Sequence, residues 1–89
     1  MVESHAEIVN RLGLHARAAA KLVHAASAFE CDVTLMNDEQ EVDAKSILGV
    51  LLLAAAQGMT IRIRCSGVDE VDALQALTEL IADRFGEPE

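Results

Sequence analysis

The chain has 89 residues, enough for one modest core and too few for a second, so 1–89 is expected to form a single domain. Hydrophobic residues make up 52%, yet only Phe29 and Phe85 are aromatic, so Ala, Val, Leu and Ile must build the core. Fifteen acidic against seven basic side chains give a net charge of −8, which argues against a nucleic-acid groove because phosphate backbones require a basic stripe.

The apolar run from Ile47 to Ala56 is interrupted by Gly49 and too short to cross a bilayer, so no membrane segment is expected. No apolar run follows a basic start, so no secretory leader is expected either. Cys31 and Cys65 lack a C-x-x-C spacing and read as reduced, buried thiols of a cytoplasmic protein. His5, His15, His24 and the cysteines show no familiar ligand spacing, so no metal is expected.

Val2 to Val9 reads as a first strand with Val2, Ser4, Ala6 and Ile8 on one face. Asn10 to Leu14 is a loop containing Gly13. Ala16 to Phe29 reads as a helix whose apolar face carries Ala19, Leu22, Val23, Ala26 and Phe29, with Arg17, Lys21 and His24 opposite. Cys31 to Met36 alternates as a second strand, Asn37-Asp38-Glu39 turns the chain, and Gln40 to Asp43 returns as a third. Ser46 to Ala56 reads as a second helix, with Ser46 as N-cap and Gly58 as the stop just beyond. Thr60 to Cys65 points Ile61, Ile63 and Cys65 inward and Thr60, Arg62 and Arg64 outward. A third helix starts at Asp69 with Val71, Leu74, Leu77, Leu80, Ile81 and Phe85 as its stripe, closed by Gly86 and Pro88. The order β-α-β-β-α-β-α is a split β-α-β pattern, an α+β fold with helices on one face of an antiparallel sheet.

The chemistry concentrates at Gly13-Leu14-His15-Ala16-Arg17, where extended chain becomes helix. A helix start offers unpaired N–H groups and the positive end of the dipole, so the amides of Ala16 and Arg17 favour an anion. Histidine can act as a nucleophile through a ring nitrogen, and arginine clamps phosphate. Together they suggest that His15 carries a phosphoryl group. A histidine in this place also serves elsewhere as a plain surface residue or a weak cap.

The second helix is apolar almost all round, through Ile47, Leu48, Val50, Leu51, Leu52 and Leu53. A helix lying on a sheet cannot bury every side, so Ile47, Leu48, Leu51 and Leu52 are expected to form an exposed patch unless the third helix covers them.

Gly13-Leu14-His15-Ala16-Arg17 followed by Lys45-Ser46-Ile47-Leu48-Gly49-Val50, in this element order, resembles the HPr family of histidine-containing phosphocarriers of the bacterial phosphotransferase system. The resemblance covers nearly the whole chain and implies an open-faced β-sandwich: a four-stranded antiparallel sheet with three helices on one face. It implies a cytoplasmic monomer without cofactor, transiently phosphorylated rather than an enzyme. His15 would take phosphate on Nδ1 from enzyme I, charged by phosphoenolpyruvate, and pass it to a IIA-type component. Arg17 would stabilise the group, and Ile47, Leu48, Leu51 and Leu52 would dock partners. Ser46 matches the serine phosphorylated by an ATP-dependent kinase (HPr kinase/phosphorylase) in many members. Sugar-transport members usually carry proline after the arginine. Here that residue is Ala18, which resembles the nitrogen-related NPr branch and allows an alternative role, a regulatory module whose phosphorylation state controls partner proteins.

Overall fold

Alternation of small or aliphatic residues with charged ones lays out the sheet. In the computed structural model, which describes residues 1–89, the strands are β1 (Val2–Glu7), β2 (Asp32–Met36), β3 (Glu41–Asp43) and β4 (Thr60–Ser66). They pair antiparallel in the spatial order β1-β4-β2-β3. Val2 lies opposite Cys65 and Ala6 opposite Ile61, while Val33 and Leu35 face Cys65 and Ile63 from the other side. Val33, Leu35, Ile61, Ile63 and Cys65 are buried on one face. The other face is polar: Glu3 and Thr34 flank Arg64, and the Arg64 guanidinium reaches Glu3 and Glu41, each at 3.4 Å. A two-residue period with one wetted face is what an antiparallel sheet covered on one side requires.

The helices α1 (Ala16–Ser27), α2 (Ile47–Leu52) and α3 (Glu70–Ala82) cover the apolar face, and a 3-10 turn over Arg84–Gly86 follows. Ala18, Ala19, Leu22 and Ala26 of α1, Val50 of α2 and Ala73, Leu77 and Ile81 of α3 join the inward strand residues in one core. Fully burying one leucine such as Leu22 or Leu77 contributes about 1.5–3 kcal/mol. The small alanines on α1 fill that face without aromatic bulk.

Several details depart from the sequence reading, beginning with β1, which ends at Glu7 rather than Val9. Helix α1 ends at Ser27 rather than Phe29; Phe29 N–H still bonds the Ala26 carbonyl at 3.2 Å, and the ring is half-buried. Helix α2 stops at Leu52, not Ala56. Ala54 swings to φ 52°, and the Ala55 carbonyl accepts from Leu14 N–H at 2.8 Å. Leu53 and Ala55 stay buried, so a tertiary hydrogen bond and core contacts override the helix propensity of the alanine run. Gly58 therefore does not end that helix; its N–H donates to the Ile8 carbonyl at 2.8 Å in the turn into β4. In α3, Val71 is 63% exposed and Ala73 takes the buried place instead. Phe85 is buried but lies beyond α3, brought back to the core by left-handed backbone at Arg84 and Phe85.

Asp69 precedes α3 as expected, but its carboxylate does not cap that helix. It accepts from Glu30 N–H at 2.8 Å and Cys31 N–H at 2.9 Å, tying the end of α1 to the start of α3. The Glu30 amide, ahead of the Cys31 amide and thiol and against partial desolvation, holds the Asp69 carboxyl below its ordinary value. Cys31 and Cys65 are free and buried. Burial, reinforced by Asp69, pushes the Cys31 thiol up to about 11, so it stays protonated at neutral pH.

Candidate functional site

The site begins at the exit of β1. Ile8 is buried and its N–H donates to the Met59 carbonyl at 2.8 Å, which anchors the strand end. Asn10 is fully buried, and its Nδ2 donates to the Gly13 carbonyl at 2.8 Å and to Glu87 Oε1 at 3.1 Å. Both partners are acceptors, so the amide must face them with its nitrogen. Asn10 Oδ1 is consequently left buried without a partner. Gly13 has φ +67°, and a Cβ there would stand 2.6 Å from the Ala55 carbonyl oxygen. Only glycine lets the loop lie this close to the segment after α2.

That loop delivers His15 to the N-cap position of α1 with extended backbone, φ −73° and ψ 177°. The His15 carbonyl accepts the Ala19 N–H at 2.8 Å, while no side chain caps the first turn. The amides of Ala16 and Arg17 are among the helix donors that have no intrahelical acceptor. His15 and Arg17 line one cleft with Arg11, Leu12, Glu87 and Pro88. The His15 side chain is 28% exposed, reachable yet restrained.

The restraint comes from Glu87, a residue that the sequence reading did not single out. His15 Nε2 and Glu87 Oε2 are hydrogen-bonded. An ionised carboxylate can only accept, so the ring nitrogen is the donor and carries the proton, while Nδ1 has no protein partner. The hydrogen bond to His15, supported by Asn10 and opposed by partial burial, holds the Glu87 carboxyl below the usual range. Two contacts fix the segment that carries it. Lys21 Nζ donates to the Phe85 carbonyl at 2.6 Å, and Arg11 N–H donates to the Glu89 carbonyl at 2.9 Å. Glu87 lies 72 residues from His15, and no short-range pattern links them. The one local hint is the Gly86–Pro88 pair, two poor helix formers just after the turn that follows α3.

Ser46 is the N-cap of α2, its Oγ accepting from Gly49 N–H at 3.1 Å. Beyond it Ile47, Leu48, Leu51 and Leu52 are 44%, 65%, 38% and 59% exposed, so α3 does not cover them. Leu12, in the His15 cleft, is a further exposed apolar residue that periodicity could not flag because it lies in a loop. His5 on β1 and His24 on α1 are exposed and lie outside the cleft. No group of three His, Cys, Asp or Glu side chains is gathered as a metal site would need.

An imidazole with one nitrogen engaged as a donor and the other free can attack an electrophile. The neighbouring guanidinium and helix amides favour a negatively charged product. The family model described as "PTS HPr component phosphorylation site" matches residues 2–83. The chain is 54% identical over 87 residues to the phosphocarrier protein HPr of Xylella fastidiosa strain Temecula1, covering 98% of each. It is 48% identical over 89 residues to that of Cupriavidus necator, covering all of both chains. The crystal structure of HPr-C-His from Thermoanaerobacter tengcongensis superposes with a TM-score of 0.96 at 42% identity over the full length of both chains. Sequence, topology and the placement of His15 lead to one conclusion: this chain belongs to the HPr family of phosphocarrier proteins of the phosphotransferase system.

Proposed function

We propose that His15 is the phosphoryl acceptor, taking the group on Nδ1 from phosphorylated enzyme I and passing it to a histidine of a IIA-type component. The observation that carries this reading is the hydrogen-bond state of the ring: Nε2 is committed to Glu87 and Nδ1 is free at the start of α1. The Nδ1 lone pair forms the N–P bond while the bond from phosphorus to the donor nitrogen breaks, its electron pair leaving with the donor. Arg17 and the Ala16 and Arg17 amides offset the charge of the bound group. The transfer needs neither metal nor cofactor.

Docking falls to the exposed row Ile47, Leu48, Leu51 and Leu52, with Leu12 a separate exposed apolar residue at the His15 cleft. Ser46 is the regulatory position in this reading. A phosphate there would set a dianion beside Ile47, at the edge of the docking row. The protein acts in the cytoplasm as a single-domain monomer, consistent with its two unpaired cysteines and its acidic charge.

The test is direct labelling with enzyme I and radioactive phosphoenolpyruvate. Wild type gains an acid-labile phosphate and His15→Ala gains none. Equal labelling of the two would refute the assignment. Incubation with ATP and an HPr kinase gives an acid-stable phosphate that Ser46→Ala lacks; labelling of both alike would remove Ser46 from the scheme.

A further inference from the structure

We propose that Glu87 is a positioning residue for His15, holding the ring proton on Nε2 and balancing the charge the ring acquires when Nδ1 bonds phosphorus. The inference deepens the reading of His15 as phosphoryl acceptor and rests on it.

Three observations meet at this carboxylate. Its two oxygens are both engaged: Oε2 accepts from His15 Nε2–H, and Oε1 accepts from the buried Asn10 Nδ2 at 3.1 Å. Its side chain is only 14% exposed, although carboxylates ordinarily stay in water. The segment carrying it is pinned on both sides, by Lys21 Nζ on the Phe85 carbonyl and by Arg11 N–H on the Glu89 carbonyl. The arrangement has a cost. Asn10 turns both amide hydrogens to Gly13 and Glu87 and leaves its own buried oxygen unpaired, which is costly in a protein interior. A contact that merely tidied the chain end would not require a desolvated charge and an orphaned acceptor.

The electron count explains what the carboxylate does. Neutral His15 carries its proton on Nε2 and a lone pair on Nδ1. When that pair forms the N–P bond, the donor's bond to phosphorus breaks and its pair departs with the donor. The Nε2 proton stays, so the ring becomes formally cationic, with the Glu87 carboxylate at its far end. On onward transfer the N–P pair returns to Nδ1 and the ring is neutral again. A carboxylate that orients a histidine and stabilises its cationic form plays the same part in acyl-transfer triads. Asn10 keeps that carboxylate aimed.

The experiment compares wild type, Glu87→Ala, Glu87→Gln and His15→Ala. Nitrogen-15 NMR of the His15 ring in wild type shows the Nε2–H tautomer with a ring proton slow to exchange with water. In Glu87→Ala that proton exchanges too fast to observe, and in Glu87→Gln it reappears because the amide oxygen still accepts it. In steady-state phosphorylation by enzyme I, kcat for Glu87→Ala falls roughly tenfold to a hundredfold, the scale for removing a carboxylate that orients a histidine. KM is unchanged, and Glu87→Gln recovers part of the loss. An unaltered ring signal and kcat in Glu87→Ala would overturn the role, as would a loss confined to KM, which would make Glu87 part of a docking contact. Wild type that gains no label on His15 would instead overturn the acceptor reading itself, and so would be told apart.

Discussion

Replacing Gly13 with alanine tests whether the site is built by close backbone approach. The new Cβ would stand 2.6 Å from the Ala55 carbonyl oxygen and 3.0 Å from Ala56 Cα, both backbone atoms that no rotamer change can remove. The oxygen must retreat to about the 3.4 Å at which ordinary contact begins, and it is the acceptor of Leu14 N–H at 2.8 Å. Losing that bond costs about 1 kcal/mol. Forcing alanine into the left-handed region at φ +67° adds about 1–2 kcal/mol. Displacement of the Gly13 carbonyl from Asn10 brings the sum to roughly 3 kcal/mol. Gly58→Ala is the internal control: φ is +88° there, but nothing lies within 4 Å of the new atom, so only the same conformational cost of about 1–2 kcal/mol applies. With a urea slope of roughly 1 kcal/mol per molar, the Gly13→Ala midpoint falls about 1–2 M below that of Gly58→Ala. Equilibrium urea denaturation followed by far-UV circular dichroism reads the difference. Equal midpoints for the two variants would refute the close-approach argument.

Leu48→Glu changes an exposed side chain, so thermal stability stays within about 0.5 kcal/mol. Its affinity for enzyme I, measured by titration calorimetry, drops roughly tenfold to a hundredfold. Ser46→Ala removes the cap on Gly49 N–H and lowers stability by about 1 kcal/mol in the same urea assay, whereas Ser46→Asp keeps the cap and weakens partner binding instead. Asp69 gives a pH signature. Its carboxyl is held below the ordinary 3.8, so the stabilisation it supplies is fully present above that pH and is lost as pH falls through the lowered native value. The stability gap between wild type and Asp69→Asn is thus widest near neutrality and closes in acid, as paired denaturation curves across pH would show.

How much was legible in the sequence differs from element to element. Strand β4 was read correctly because Ile61, Ile63 and Cys65 alternate with Arg62 and Arg64, a pattern that only one register can satisfy. The start of α2 was legible because a serine three residues before the glycine amide it caps is a local device. Its end was not: an alanine run carries no stop signal, and what halts the helix is the Leu14 amide, 41 positions earlier in the chain. His15 and Arg17 stood out because their chemistry is local to one helix start. Glu87 and Asn10 did not, since their significance arises only when residues far apart in sequence meet. Val71 misled for a similar reason, because α3 is rotated so that Ala73, Leu77 and Ile81 face inward.

The strand order β1-β4-β2-β3 also governs how the chain can reach its native state. Only β2 and β3 are neighbours both in sequence and in space; β1 has no ladder partner except β4. The first strand must therefore wait, on the ribosome or after dilution from denaturant, until the segment from Thr60 to Cys65 is available to pair with it. Such distant pairings bring a large loop-closure cost and set a slow pace, milliseconds or longer, against the microseconds open to a helical bundle of similar size. A chain interrupted before residue 60 would leave β1 as an unpaired ribbon edge and a prompt for aggregation.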